Sequence, residues 1–292
     1  MGDSKREYMS PKMLASFSII LLTSLIPFLF PRPFEWLDGK LYDLKLRLLQ
    51  SDEISQSIVH LDIDDTAIKE IGGWPWDRSV SAALVKKLTE YGAKVIVFDI
   101  LYTSRGKGDE GNAAFFEAIS TSGRVVSAMA FGISDTSDAN LVIQCERNKA
   151  VAIYEKAWSL EVSPSCSLFK ASRLADTHAP LVPVTTNSRE IGHIKSIADS
   201  DGVHRRIPLL IKFEEKYIPS LSLAALAVYL DLKTNDIKVK ESGEIELKGK
   251  RKINIPTDSN ACMLIHWQRP WKSYPHYSAA ELIGKDNDPI EA

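Results

Sequence analysis

Four aspartates at the carboxyl ends of two predicted strands are the residues of this sequence best placed to do chemistry. In open α/β sheets, ligands gather beyond the carboxyl ends of the strands, so side chains at those ends can bind or react with a substrate. Strands are predicted at residues 58–63 and 94–101, and the carboxylates at their ends are Asp62, Asp64, Asp65 and Asp99. We therefore expect the function of the chain to lie at these carboxylates.

The segment between the two strands predicts an amphipathic helix. Ser79 is a candidate N-cap, apolar residues recur after it at helical spacing, and Gly92 can end the helix. Strand, helix and strand make a βαβ unit, and a third strand predicted at residues 124–131 continues the alternation. The pattern favours an α/β fold with a doubly wound, mixed and mostly parallel sheet.

An uncharged run near the start of the chain predicts a membrane helix. Residues 13–30 would form about 27 Å of helix at about 1.5 Å per residue, which just spans a bilayer core. The run ends at Pro31 without a small-residue cleavage site, which favours an uncleaved anchor over a signal peptide. An amphipathic helix is predicted next, over residues 34–49, with apolar residues at Leu37, Leu41, Leu44 and Leu48.

The overall composition is that of a globular domain and gives no case for nucleic-acid binding. The chain has 292 residues, of which 45% are hydrophobic and 25% charged, and its formal net charge is -2. No basic stripe stands out, so we expect no nucleic-acid partner. Cys145, Cys166 and Cys262 lie far apart without a CxxC pair, which leaves one disulfide or three free thiols open and predicts no metal cluster.

One short motif resembles an enzyme family. The segment 62–66 (DIDDT) is similar to the first motif of the haloacid-dehalogenase phosphatases, a resemblance that implies Mg²⁺-dependent phosphoryl transfer with Asp62 as nucleophile and Asp64 as proton shuttle. Such a site also needs a further acidic pair at a later strand end. The sequence offers no credible pair of that kind.

A longer pattern resembles the CHASE2 family of bacterial extracytoplasmic sensor domains. The matching segments are an aspartate pair after a strand, a WPW loop with an arginine, a VFD strand, a DxDG turn followed by two arginines and IPL, and a PSLSLA helix. In this chain they are Asp64 and Asp65, residues 73–78, 97–99 and 199–209, and residues 219–224. The resemblance covers nearly all of residues 34–284 and is the more specific of the two.

Membership of that family would make the chain a sensor and not an enzyme, with no cofactor and no bound metal. The residues expected to bind an unknown small ligand are Asp62, Asp64, Asp65, Trp74, Trp76, Arg78 and Asp99. The competing interpretation is that the tryptophans form a rigid packed corner and the aspartates serve as helix caps and internal partners. The residues expected to be structural are Asp199, Asp201, Gly202, Arg205 and Arg206.

The resemblance also implies a membrane arrangement. We expect a cytoplasmic tail at 1–12, an anchor at 13–30, a juxtamembrane helix at 31–50 and the sensor domain at 51–292, incomplete at its C-terminus. The chain would be a single-pass protein of the inner membrane with its main domain outside the cytoplasm. Expected partners are a second copy of the chain and an output domain such as a nucleotide cyclase, kinase or diguanylate cyclase; a non-signalling truncated interaction module is the further alternative.

Residues 191–213 predict two strands joined by a turn at residues 200–202. His193 and His204 would then face each other across a hairpin, although no third ligand is placed to complete a metal site. Arg205 and Arg206 would point to opposite faces of their strand. One of them is expected to pair with an aspartate of the central cluster.

Overall fold

The structure is a computed structural model, and it describes residues 12–13, 16–21, 24, 31–49, 55–106, 108–134, 141–267 and 274–283. The chain divides into two compact units. The first unit comprises Met1–Ser51, Ala198–Arg205 and His266–Gln268, and the second comprises the remaining residues.

The first unit is built on helix α1 (Pro31–Leu48), which confirms the predicted amphipathic helix. Much of the predicted anchor, including residues 25–30, lies outside the described residues, as does almost all of the predicted tail. Across the described part of the chain, the structure contains no helix with the length and apolar character needed to cross a bilayer.

The second unit is a mixed α/β structure with parallel sheets, as predicted. Its helices are α2 (Asp65–Ile71), α3 (Arg78–Glu90), α4 (Asp109–Ser122), α5 (Arg147–Lys156), α6 (Val182–Asn187), α7 (Leu221–Tyr229) and α8 (Ala279–Ile283), with a 3-10 turn at Thr234–Asp236. Its strands are β1 (His60–Asp62), β2 (Ile96–Phe98), β3 (Val125–Met129), β4 (Gly132–Ser134), β5 (Val142–Gln144), β6 (Lys170–Ala175), β7 (Glu190–His193), β8 (Arg206–Pro208), β9 (Leu210–Phe213), β10 (Lys216–Pro219), β11 (Ile237–Val239), β12 (Ile245–Lys248), β13 (Lys252–Ile255), β14 (Cys262–Leu264) and β15 (His276–Ser278).

The strands of the predicted βαβ pattern fall into two separate sheets, and not into one as that pattern suggested. Strands β2, β3 and β7 pair in that order and all run parallel. Strand β1, predicted to share a sheet with β2, instead pairs in parallel with β15, so that Asp62 stands beside Ser278. The partner of β1 is a distant segment whose pairing leaves no local pattern in the sequence.

The remaining strands form a mixed sheet and two antiparallel groups. The mixed sheet has the order β10-β9-β6-β4, with β5 also paired to β6, and a single bridge from His193 to Ser220 brings β7 to the end of β10. Strands β11, β12 and β13 form an antiparallel meander, and β8 pairs with β14. The hairpin predicted for residues 191–213 is confirmed only in part: the turn at 200–202 is present and one antiparallel bridge joins Ile197 to Arg206, but β7 pairs with β3 and β8 with β14.

Local capping signals are mostly confirmed. Ser220 accepts a hydrogen bond from the Leu223 amide at 3.1 Å and caps α7, and Gly92 has a φ of 81° just beyond the end of α3. Ser79 does not cap α3, because the helix begins at Arg78 and the Asp77 carboxylate accepts from the Ser79 amide at 2.9 Å. An aspartate two residues earlier serves the same purpose.

Helices α3 and α4 cover the parallel sheet through an aromatic core. Phe98, Tyr102 and Phe115 are buried there, and their ring centroids lie 4.8 to 5.8 Å apart in tilted and edge-on pairs. A second core lies under β7, β9 and β10, and β7 approaches α7 closely. A Cβ on Gly192 would lie 2.5 Å from the Leu221 Cα atom.

We predict that Gly192→Ala destabilises the second unit by about 1 to 3 kcal/mol, because the added methyl group must displace the backbone of α7. Urea unfolding monitored by circular dichroism measures this. Gly73→Ala is the matched control, since nothing lies within 4 Å of a Cβ at that position. Equal unfolding midpoints for the two variants would contradict the close approach of β7 and α7.

Candidate functional site

The two aspartates at the end of β1 are both engaged by the partner strand β15. The Asp62 carboxylate lies 2.8 Å from Nδ1 of His276, and the Ser278 hydroxyl donates to Asp64 at 2.6 Å. Asp64 also caps α2 by accepting from the Ala67 amide at 2.8 Å. Asp64 therefore acts as a helix cap and an internal partner, as the competing interpretation expects.

A histidine pair adjoins these carboxylates. His60 stacks on His276 with ring centroids 4.4 Å apart and an interplanar angle of 6°. Since His60 and Asp62 alternate with Leu61, they lie on one face of the β1–β15 pair, together with His276 and Ser278. Sequence reasoning missed both β15 residues, because only the long-range pairing brings them to the aspartates.

The other two predicted carboxylates do not join this group. Asp65 is exposed in the first turn of α2, and Asp99 is exposed just after β2, which belongs to a different sheet from β1. The structure thus brings together Asp62 and Asp64 but does not gather all four aspartates.

The two tryptophans of the WPW loop differ sharply in exposure. Trp76 is 6% exposed, donates from Nε1 to the Gly72 carbonyl at 2.7 Å and packs among residues of α2, α3 and α8. Trp74 is 43% exposed and meets Trp76 edge-on with ring centroids 5.3 Å apart. Trp76 is a packed corner residue, and Trp74 presents an accessible ring beside it.

The Arg78 side chain contacts the loop after β2. Its guanidinium donates to the Ser104 carbonyl at 2.9 Å and lies 4.5 Å from the centroid of the Tyr102 ring. Burial lowers the pKa of Arg78 and raises that of Tyr102 to about 12, so the phenol stays neutral and bonds to Ser81.

The glycine-rich loop before α4 packs against the start of α3. A Cβ on Gly106 would lie 2.7 Å from Cγ of Arg78, and one on Gly111 would collide with the Asp77 carboxylate. The buried Asn112 side chain holds the loop by bonding to the backbone of Gly106 and Gly108. These glycines serve close packing.

The first unit contains a dense ionic cluster around Arg205, whose side chain is only 2% exposed. Its guanidinium makes paired hydrogen bonds to Asp43 at 2.7 and 2.8 Å and to Asp201 at 2.8 and 2.9 Å, and one to Asp199 at 3.0 Å. All five N–H donors of the arginine are thereby used. Lys40 adds a second cation by contacting Asp201 at 3.0 Å.

The Arg205 cluster corrects one prediction and confirms another. The partners of Arg205 are Asp43, Asp199 and Asp201, and not the aspartates of β1 as expected. Arg206 is exposed while Arg205 is buried, in agreement with their predicted opposite orientations. Gly202 has a φ of 79°, which a turn between Asp201 and Arg205 requires of it.

Hydrogen bonding within the cluster shifts its titration. Bonds from Arg205 lower the pKa of Asp43 and of Asp201, and the bonds to Asp43 and Asp201 raise the pKa of Arg205. Asp43, Asp201 and Arg205 are therefore charged at neutral pH. Because the carboxyl pKa values are lowered on folding, this stabilisation is present above the ordinary value of 3.8 and is lost as the pH falls through the lowered values.

The three cysteines and the two histidines of the predicted hairpin were the remaining candidates for a disulfide or a metal site. Cys145, Cys166 and Cys262 are free thiols. His193 is fully buried on β7, and burial lowers its pKa to about 3, so it is neutral, whereas His204 is exposed. Within the described ranges, no group of three or more His, Cys, Asp or Glu residues is arranged to hold a metal ion.

The fold and these interactions define a mixed α/β domain preceded by an amphipathic helix. The CHASE2 domain family matches residues 17–292, nearly the whole sequence, so the chain belongs to this family of extracellular sensor domains, which are not themselves catalytic. Neither the comparison with curated proteins nor that with solved structures gave a significant match.

The different exposure of the two loop tryptophans predicts which of the two rings stabilises the fold. Trp76→Ala removes a buried indole and should lower the free energy of unfolding by about 3 to 5 kcal/mol. Trp74→Ala should lower it by less than about 1 kcal/mol, since half-exposed surface residues contribute little. Urea titration of the two variants beside the parent gives both values, and a Trp74→Ala loss as large as that of Trp76→Ala would show that both rings are packing residues.

The geometry of the Arg205 cluster leads to a second prediction. Arg205→Met leaves three carboxylates close together with Lys40 as their remaining cation within the cluster, and we expect a loss of about 2 to 3 kcal/mol, because the carboxylates keep some contact with water. Arg206→Met is the matched control at an exposed position. Hydrogen exchange of residues 198–205 reports the change locally, and equal protection in both variants would contradict the structural role of Arg205.

Proposed function

We propose that this chain is the extracytoplasmic sensory part of a membrane-anchored bacterial receptor that detects a small ligand or a condition of its surroundings. The observation that carries the proposal is the match of residues 17–292 to a family of extracellular sensor domains. The uncharged run at residues 13–30 supports a membrane anchor that enters α1 directly.

The ligand surface we propose includes the carboxylates that the fold leaves accessible and the exposed ring beside them in sequence. Asp65 is exposed, Asp62 is half-buried, and Trp74 offers a flat apolar face. Asp99 follows a strand of a different sheet and is not included in this surface. Carboxylates with an aromatic surface suit a small cationic or hydroxyl-rich ligand. Asp64, Trp76 and Arg78 support this surface by holding α2, the WPW loop and the loop after β2 in place.

The signalling mechanism we propose is a shift between two packings of the domain. A ligand can move such an equilibrium only by binding one packing more tightly than the other. The membrane helix would carry the difference inward to an output module, a nucleotide cyclase, kinase or diguanylate cyclase. The phosphatase alternative gains no support, because the proton-shuttling aspartate it requires, Asp64, already caps α2 and accepts from Ser278.

The orientation of the protein in the membrane tests the proposal. A cysteine at Lys250, in the exposed turn between β12 and β13, should react with a membrane-impermeant maleimide in cells with a permeabilised outer membrane. A cysteine at Ser4, in the predicted cytoplasmic tail, should react only after lysis. The parent chain, with its three native cysteines, gives the background.

Labelling of Lys250→Cys only after lysis would place the domain in the cytoplasm and reject the sensor proposal in this form. Release of the parent chain with the soluble fraction would reject the anchor. These two outcomes are read from the same cells by fractionation before labelling.

A further inference from the structure

Helix α1 has two faces with different tasks. One face carries Gly39, Lys40 and Asp43 towards the Arg205 cluster, where a Cβ on Gly39 would lie 3.2 Å from Cζ of Arg205. Leu46, one turn further on the same side, is buried. This face is fixed within the first unit by ion pairs.

The other face of α1 carries a row of large apolar side chains exposed to solvent. Their relative exposures run from 39% to 74%, and the residues are Phe34, Leu37, Leu41, Leu44 and Leu48. Isolated exposed leucines are common on protein surfaces, but one phenylalanine and four leucines on one stripe of an 18-residue helix form a contiguous patch. We call this row the α1 seam.

The spacing of the α1 seam identifies what would cover it. Successive members are separated by three, four, three and four residues, which is the a and d pattern of a coiled coil. A repeat of 3.5 residues keeps a narrow stripe aligned with a second helix that has the same repeat. Because every copy of the chain carries the same seam, two copies present self-complementary surfaces that close as a dimer.

The residues beside the α1 seam favour a helix partner over a lipid surface. The e positions hold Asp38 and Lys45, and the g positions hold Lys40 and Arg47, so charged residues border the seam on both sides. A helix that lies in a membrane interface needs a broader apolar face, and Asp38 would oppose anionic lipid. Lys40 is already paired with Asp201, which reduces repulsion along the g edge.

We infer that two copies of this chain associate through the α1 seam as a parallel two-stranded coiled coil. Knob-into-hole packing of the five layers removes the exposed leucines from water, and the Arg205 cluster fixes the opposite face of each helix to its own copy. The evidence for pairing is the geometry of α1. The parallel direction depends on the proposed function, because two copies anchored in the same membrane by residues 13–30 must have their α1 helices running the same way.

Disulfide cross-linking of the full chain in its membrane tests the inference. Leu37→Cys and Leu44→Cys occupy two d positions one heptad apart, and a parallel pair brings each residue next to its own copy within the reach of a disulfide, about 7 Å between Cα atoms. Mild oxidation should convert both variants to linked dimers. The matched control is Leu49→Cys. Leu49 is 62% exposed immediately after the last residue of α1 and lies off the seam.

Three results would overturn the inference. Equal cross-linking of Leu49→Cys would indicate random collision, and cross-linking of only one d-position variant would indicate that the helices do not run parallel. Absence of cross-links, together with lipid-dependent blue-shifted emission from an environment-sensitive dye on Leu44→Cys, would assign the seam to the membrane surface.

A second measurement guards against folding defects in the cysteine variants. In detergent, Leu44→Glu should weaken the dimer by about tenfold or more, because a charge in a packed layer removes apolar burial from both copies. Leu49→Glu should leave the dimer unchanged. Light scattering measures the mass of each variant. Maleimide labelling does not depend on dimerisation, so it shows separately whether the anchor proposal fails.

Discussion

The need to neutralise one buried guanidinium organises the first unit of this protein. Arg205 is 2% exposed, and a charge in such a place is tolerated only when paired and fully hydrogen-bonded. Asp43 meets that need from α1, while Asp199 and Asp201 meet it from the turn that precedes Arg205. Because Asp43 must point at Arg205, the rotation of α1 about its axis is fixed, and its apolar stripe is left on the outside.

Closure of the second unit depends on a different long-range pairing. Strand β15 lies beside β1, and two side-chain contacts, from His276 to Asp62 and from Ser278 to Asp64, accompany the backbone ladder. Aspartates that look like reactive groups in the sequence thus contribute to holding two distant segments together. These contacts give both Asp62 and Asp64 a structural role.

The sequence predicted well whatever depends on neighbouring residues. Periodicity located α1, β3 and the region of α3, and the Ser220 cap and the Gly92 helix end were identified from residue types that favour those positions. The WPW and DxDG segments identified the family, because such extended patterns are rarely matched by chance. The helix cap at Asp77 was missed by two residues, an error typical of element boundaries.

Long-range partners could not be predicted, because no local signal encodes them. Asp43 lies 162 positions from Arg205, and Asp62 lies 214 positions from His276. An aspartate on an amphipathic helix looks the same whether it faces water or a buried arginine. For the candidate site, the sequence identified the aspartates and tryptophans as the residues to consider. It could not predict that Trp76 is buried and Trp74 exposed, because this depends on how α2, α3 and α8 pack together.

The energies of these contacts restrict how a signal can pass through α1. Coupling between a ligand site and a distant element typically amounts to about 1 to 3 kcal/mol, and the loss of Arg205 alone is expected to cost about 2 to 3 kcal/mol, so opening the cluster would use nearly all of the coupling free energy. A ligand would therefore leave the Arg205 cluster intact, and α1 would move together with the turn that contains Asp199 and Asp201. Among the residues that the structure describes, the apolar side chains of the α1 seam have no ion-pair partners of this kind, and they can exchange one packing for another at lower cost. If two α1 helices pair as inferred, a change in their rotation or spacing, at the end nearest the proposed anchor, is thus the movement expected to cost least.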